Sequence, residues 1–329
     1  MPKTRRAAAG RGRTPFDLPV ELALARPVAA LPAAQSHRWF EPKADGWRVC
    51  LRTGERPAVY SRHGTDLTAA FSDIAAVAAG LPEAVVDGEL LAVKTDGSLA
   101  FGLLQTRAGG RGPRAGETFH VQVAAFDLLA TGAVDLRPLP LEERRSGLLD
   151  LLPAGGRIWP LPTTADPEQA KGWFGSLGGG IEGCVVKDSS QPYRPGRRSD
   201  WLKYRVKDST SAVVLGITPG ATPASQGAVL GLPSSRGHLR PVGVSLPLPP
   251  AVRAELASRL QPAAAELAEL PGTVGGLPGS PPVLYRPVVP TIVVDIEVDA
   301  GQLEFGRWRH RPRVLRTRPD LEVDDLLPG

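Results

Sequence analysis

Residues 39–48 read WFEPKADGWR. The run sets a lysine two residues ahead of an Asp-Gly pair and closes on Arg48. Lysine is scarce in this chain: Lys3, Lys43, Lys94, Lys171, Lys187, Lys203 and Lys207 are the only seven, and arginine supplies the rest of the 39 basic residues. A lysine kept where arginine is the rule suggests a task that arginine cannot perform. Lysine can lose its proton and attack as a nucleophile, whereas the guanidinium stays charged. Such a lysine needs a depressed pKa, obtained from burial or from neighbouring positive charge. By this chain's own residue frequencies, K-x-D-G-x-R arises by chance in about 4 of 1,000 such chains. The competing reading is a plain KADG turn between two strands with a solvated lysine.

Outward from this run, short apolar stretches of strand character recur: WRVCLR, AVVDGELLAV, HVQVAAFDLL and GCVVKD. Helical stretches lie between them, among them DLTAAFSDIAAVAAG and PLEERRSGLLDLL. Gly80 and Pro82 stop the first. Strands and helices do not alternate regularly, so the expectation is an α+β domain over residues 25–209, not a doubly wound parallel sheet. After residue 209 the texture shifts to short strands, such as SAVVLGI and TIVVDIEV, parted by Gly/Pro-rich loops including 270–282. One helix, PPAVRAELASRL, opens on prolines. About five strands and one helix predict a small β-barrel of the oligonucleotide-binding kind over 210–329. Residues 1–24 read as a basic, low-complexity tail without the apolar core of a signal peptide. No apolar run reaches the length of a membrane span, and two cysteines in apolar strands fit reduced thiols, so a cytoplasmic protein is expected.

The net charge is +5, and five cations in residues 1–14 account for it. Within the near-neutral remainder, cations cluster at 187–207 and at 307–318. Such clusters suit a polyanion, or equally a solvated arginine-rich surface. Strand alternation puts Asp87 and Glu89 on one face, where two acids suggest a metal or a sugar hydroxyl, or else a polar strand edge. Glu182 precedes an apolar strand and is a further carboxylate candidate for Mg²⁺, a cation that takes hard oxygen ligands and is often shared with phosphates. The same alternation aligns Lys203, Arg205 and Lys207, three cations that repel one another unless an anion lies across them.

Taken in order, these segments resemble the covalent nucleotidyltransferases, and among them the ATP-dependent DNA ligases. KADGWR resembles the K-x-D-G-x-R motif of that family, SRHGTDLT (61–68) its S-R-x-G motif, and VDGEL (86–90) its D-G-E motif. FGLLQTR (101–107) and AAFDLL (124–129) are similar to the segments that follow. EGCVVK (182–187) matches E-G-x-V-x-K, and WLKYR (201–205) matches W-x-K-x-K with arginine at the last place. YRPGRRSDWLKYR and the short two-domain layout look like the compact bacterial ligases of the end-joining type, actinobacterial ones included. The resemblance implies an adenylation domain of antiparallel sheets with flanking helices, followed by the oligonucleotide-binding barrel. It also implies that Lys43 becomes adenylylated while Lys203 and Arg205 grip the α-phosphate. Glu41 would accept from the adenine amino group, Phe126 would stack on the base, and Arg48, Arg62 and Glu89 would complete the ATP site. Glu89 and Glu182 would stand near Mg²⁺, with Mn²⁺ as the alternative metal. Arg197, Arg198, Arg309, Arg311, Arg313 and Arg318 would contact DNA. The family often ends on an R-x-D-K motif; here RTRPDL (316–321) has Leu321 in place of that lysine.

The implied reaction passes AMP from ATP to Lys43, then to the 5′-phosphate at a nick, which the 3′-hydroxyl attacks. The implied partner is nicked duplex DNA at the nucleoid. A monomer is expected, working beside separate repair polymerases or end-joining proteins. Two alternatives stay open: an RNA ligase or capping-type enzyme with the same lysine chemistry, and a degenerate DNA-binding protein without turnover.

Overall fold

The computed structural model describes residues 14–110, 118–153, 155–176, 180–234, 238–263, 266–270, 281–299, 303, 306–308 and 310–327. Residues 1–13 of the expected tail, most of the 270–282 loop and Arg309 lie outside the described residues. The chain divides into two units, Met1–Arg205 and Val206–Gly329, so the division falls after Arg205 rather than after residue 209.

The first unit is built on two sheets. Its elements are β1 (Arg26–Pro27), β2 (Arg38–Ala44), β3 (Trp47–Arg52), β4 (Ala58–Ser61), α1 (Ser72–Ala79), β5 (Ala84–Lys94) and α2 (Phe101–Ala108). They continue with β6 (Phe119–Thr131), β7 (Val134–Asp135), α3 (Leu141–Leu151), β8 (Ile158–Pro160), α4 (Pro167–Lys171), β9 (Ile181–Asp188) and β10 (Leu202–Arg205). One sheet runs β1-β10-β9-β2, the other β4-β3-β5-β6-β7 with β8 beside β6. Most pairings are antiparallel; β1–β10 and β6–β8 are parallel.

The KADG segment is not a hairpin turn. β2 lies in the small sheet and β3 in the large one, so Asp45–Gly46 carries the chain from one sheet to the other. Gly46 is required there, because a Cβ would come within 2.3 Å of the Leu90 carbonyl oxygen. Between the sheets lies a core that includes Ala44, Cys50, Val85, Leu91, Phe126, Ile181, Tyr193 and Trp201. On the far side of the large sheet the helices cover a second core, with Phe71, Ile74, Leu104 and Leu148. Sheet faces apolar on both sides explain why β5 and β6 read as near-continuous apolar runs.

The expected tail is shorter than 1–24. Leu22 and Ala23 are 2% and 0% exposed, and residues 22–28 form a strap along β10. Leu24 N–H donates to the Gly196 carbonyl, Arg26 N–H to Trp201 and Val28 N–H to Lys203. The low-complexity reading of 1–24 missed the start of the strap, where Leu22 and Ala23 pack into the core between the sheets.

The second unit holds β11 (Lys207–Ile217), β12 (Ala228–Pro233), β13 (Leu239–Val244), α5 (Pro250–Arg259), β14 (Ala268–Leu270), β15 (Val283–Pro287), β16 (Val293–Asp299) and β17 (Arg313–Thr317). That is seven described strands rather than about five, all paired antiparallel. The order is β13-β12-β11-β15-β14, with β16 joining β11 to β17. Hydrogen bonds from Trp308 N–H to Val242 and from Leu246 N–H to Pro312 bring the segment before β17 onto the edge of β13. The result is a barrel around Val214, Leu230, Val242, Val294 and Ile296. Among the described residues no helix is long and apolar enough to cross a membrane.

Candidate nucleotide-binding site

A cavity of about 760 Å³ opens in the first unit. Its lining draws on the strap, on β2 and β3, on β5 and β6, and on β9 and β10. Lys43, at the end of β2, has its Nζ 2.5 Å from Glu182 Oε2. Arg205 Nε lies 3.4 Å from the same oxygen. Lys203 and Arg62 also line the cavity. Burial holds the Lys203 ammonium below its ordinary range, and the charges of Arg205, Lys43 and Arg62 add to that. Four cations crowded on two carboxylates, Glu89 and Glu182, leave a surplus of positive charge suited to an anion.

Deeper in, Glu41 and Lys187 form a pair with 2.7 Å between Nζ and Oε2, both side chains almost wholly buried. Lys187 Nζ also donates to the Phe126 carbonyl at 3.2 Å and stands 4.6 Å from the Phe126 ring and 4.0 Å from the Trp201 ring. Burial pushes both groups toward their neutral forms. Lys187 takes Glu41 Oε2, while Glu41 Oε1 is buried without a hydrogen-bond partner, on a residue that lines the cavity. An unmet buried carboxylate oxygen is costly unless a ligand donates to it. Lys187 is therefore not part of a surface footprint, as the clustering of charge suggested. Its scarcity as a lysine was the signal available in the sequence.

Asp87 does not face a metal. It is fully buried and clasped by Arg48, Nε to Oδ1 at 2.5 Å and Nη2 to Oδ2 at 2.6 Å. Arg48 also lies over the Phe126 ring at 4.5 Å. Phe126, 8% exposed, presents its ring to the cavity from β6. Glu89, partly exposed, has a carboxyl pushed up to about 7 by burial, against the lowering effect of Lys43 and Arg48. Glu89 and Glu182 fit a metal that arrives with its phosphates rather than one caged by protein alone. The described residues contain no group of three or more Asp, Glu, His or Cys placed to hold an ion.

The expected DNA-contacting arginines are placed unevenly. Arg197 borders the cavity, and Arg198 borders a separate hollow beside Tyr193, Arg194 and Pro195. In the barrel, Arg318 pairs with Asp295 at 2.9 Å and Asp320 at 2.7 Å, and Arg316 pairs with Asp295 at 2.8 Å. Arg313 lies 3.8 Å from Glu297. Arg311 donates to the Val244 and Ser245 carbonyls and so helps close the barrel. Lys207 does not extend the Lys203–Arg205 face: it begins β11 in the other unit and pairs with Glu297. Lys207 and, of the 307–318 cluster, Arg313, Arg316 and Arg318 thus face acids on β16, a strand whose own sequence, VVDIEVD, carries the matching charges.

Residues 23–205 match the family model described as the ATP dependent DNA ligase domain. The chain belongs to that family. A probable DNA ligase of Mycobacterium sp. (strain KMS) is 34% identical over 187 residues, covering 55% of this chain and 36% of that protein. A probable DNA ligase of Anaeromyxobacter dehalogenans (strain 2CP-C) is 34% identical over 221 residues, covering 64% of this chain and 43% of that protein. The chain thus spans well under half the length of these relatives. Among solved structures, a Lig E DNA ligase aligns over 91% of this chain and 99% of its own at a TM-score of 0.53 and 18% identity, a likeness of fold.

Proposed function

We propose that the chain is an ATP-dependent DNA ligase that works through a lysine–AMP intermediate. The observation that carries this reading is the pairing of Lys43 with Glu182 at the mouth of a cavity whose depth holds the unmet Glu41 Oε1. Adenine offers a 6-amino donor for that oxygen and a flat face for Phe126. The triphosphate would then lie toward Lys203, Arg205 and Arg62. Lys43 Nζ attacks the α-phosphorus and pyrophosphate leaves. Glu182 Oε2, already in contact with the amine, is placed to take its proton. Lys203 and Arg205 balance the charge that grows on the α-phosphate. Mg²⁺, or Mn²⁺ in its place, when bound near Glu89 and Glu182, supplies neutralisation of the phosphate oxygens. AMP then passes to the 5′-phosphate at a nick, the 3′-hydroxyl attacks that phosphate, and AMP departs. Arg197, Arg198 and the barrel arginines that remain accessible contact the DNA backbone.

Nicked duplex DNA is the substrate this reading implies, in repair or end joining at the nucleoid. The test is incubation with α-labelled ATP and Mg²⁺ beside the Lys43→Ala variant, followed by a chase with nicked DNA or nicked RNA. Label on the wild type alone, discharged by nicked DNA, supports the ligase. Discharge by RNA alone makes it an RNA ligase. A folded wild type, free of pre-bound AMP, that takes no label refutes the reading and leaves a DNA-binding protein without turnover.

A further inference from the structure

Tyr193 belongs to none of the groups placed on the nucleotide above, yet it is tied to several of them. It is 4% exposed. Its hydroxyl accepts from the Ala23 N–H at 2.8 Å and donates to Asp87 Oδ2 at 2.7 Å. Burial raises the phenol well above its ordinary value, so the hydroxyl keeps its proton for that bond. Asp87 holds Arg48 through both carboxylate oxygens, and Arg48 Nη2 reaches back to the Ala23 carbonyl at 3.3 Å. Both peptide groups of Ala23 are therefore bound by one network of three side chains.

That network joins two walls of the cavity. One is the strap, whose Leu24, Ala25, Arg26 and Pro27 line it. The other is aromatic: Arg48 lies over Phe126, and Trp201 meets Tyr193 and Phe126 edge to face at 5.7 Å and 6.1 Å. Tyr193 touches the strap, the acid that fixes Arg48, and the Trp201 ring, and Arg48 meets the same three. A phenyl ring in its place would keep the packing. It would leave the Ala23 N–H unmet and remove one donor from Asp87.

We infer that Tyr193 is a positioning residue for nucleotide binding: its hydroxyl locks the 22–28 strap and the Asp87–Arg48 pair into the arrangement that shapes the cavity before the nucleotide enters. The inference rests on the ATP reading above. A preformed wall lowers the ordering cost of binding, so its loss is felt in affinity more than in the chemical step.

The test compares the rate of Lys43 labelling across ATP concentrations in four full-length proteins: wild type, Tyr193→Phe, Ala25→Gly and Leu148→Ala. Leu148 is buried in the helical core away from the cavity and serves as a control for lowered stability alone. Tyr193→Phe should raise the KM for ATP about tenfold and change the maximal rate less than threefold. Hydrogen exchange of the 22–28 amides should quicken in the same variant. Ala25→Gly loosens the strap without touching the hydroxyl and should raise KM about threefold. It stands as the deciding variant if Tyr193→Phe does not fold. Leu148→Ala should lower the melting temperature and leave KM unchanged. An unchanged KM in Tyr193→Phe, or in Ala25→Gly where it decides, overturns the inference while leaving the ATP reading intact. So does an equal KM rise in Leu148→Ala. A wild type that takes no label overturns both.

Discussion

At Glu41 two demands meet on one carboxylate: Oε2 is spent on Lys187 and Oε1 is buried without a partner beside the cavity. Removing Lys187 would leave Glu41 as an uncompensated buried charge, so Lys187→Met should cost about 3–5 kcal/mol in chemical denaturation. Glu41→Gln keeps the shape and loses the charge. Labelling of Lys43 should then discriminate less between ATP and inosine triphosphate, which lacks the 6-amino donor. Equal discrimination in the variant and the wild type would remove Glu41 from base recognition. Glu89 carries a pH signature. Its carboxyl titrates near 7 in the folded chain, against 4.5 ordinarily. Between those values the folded chain holds a proton that the unfolded chain has lost, so this group's contribution to stability falls as pH rises through the window. Melting curves from pH 5 to 8 without added metal should show this trend in the wild type. Glu89→Gln should lose the stability trend, and a variant that retains it in full would place the titration elsewhere. Lys43 and the ordered motifs were legible as residues. The Asp87–Arg48–Tyr193 network was not, because its members lie 39 and 106 residues apart and no spacing along the chain pairs them.

The β2–β3 passage shows what an element-level reading could and could not extract. β3 coincides with WRVCLR, and β5, β6 and β9 fall on the apolar runs that foreshadowed them. Periodicity cannot say which strands share a sheet, and so it could not show that the KADG segment crosses between sheets. The strap was lost for a related reason: its order comes from hydrogen bonds to residues 196–203, not from its own pattern. The crossing leads to a specific expectation. Gly46→Ala sets a methyl against the Leu90 carbonyl and the Glu89 and Leu91 side chains, a backbone collision that no rotamer relieves. It should destabilise the first unit by about 1–3 kcal/mol, read from denaturant midpoints. It should also shift Lys43 off Glu182 and slow labelling beyond what the stability loss explains. β6 and α3 are joined by Asp127 and Arg144, a bidentate pair with both side chains fully buried. Asp127→Ala should cost about 3–5 kcal/mol, since it strands a buried guanidinium.

For the molecule as a whole, charge counted along the chain overstates charge available at the surface. Six arginines between 307 and 318, each neutralising one phosphate, would give a slope of about 5 in log affinity against log salt. Arg313, Arg316 and Arg318 already face Asp295, Glu297 and Asp320, and Arg311 is engaged with backbone carbonyls. The contribution of this segment to the measured slope for nicked DNA should therefore be well under that figure. Asp295→Asn should steepen the slope by freeing Arg316, while Arg318 stays held by Asp320, and an unchanged slope would mean that Arg316 does not meet the backbone. The two cysteines give the chain a further property. Cys50 in β3 and Cys184 in β9 are fully buried, and burial pushes both thiols up to about 12. Thiolate is the reactive form, so near neutral pH neither side chain offers a target for maleimides or peroxide. The native fold is in effect cysteine-silent: one cysteine introduced on its surface would take a fluorophore at a single site, with no background thiol to remove first.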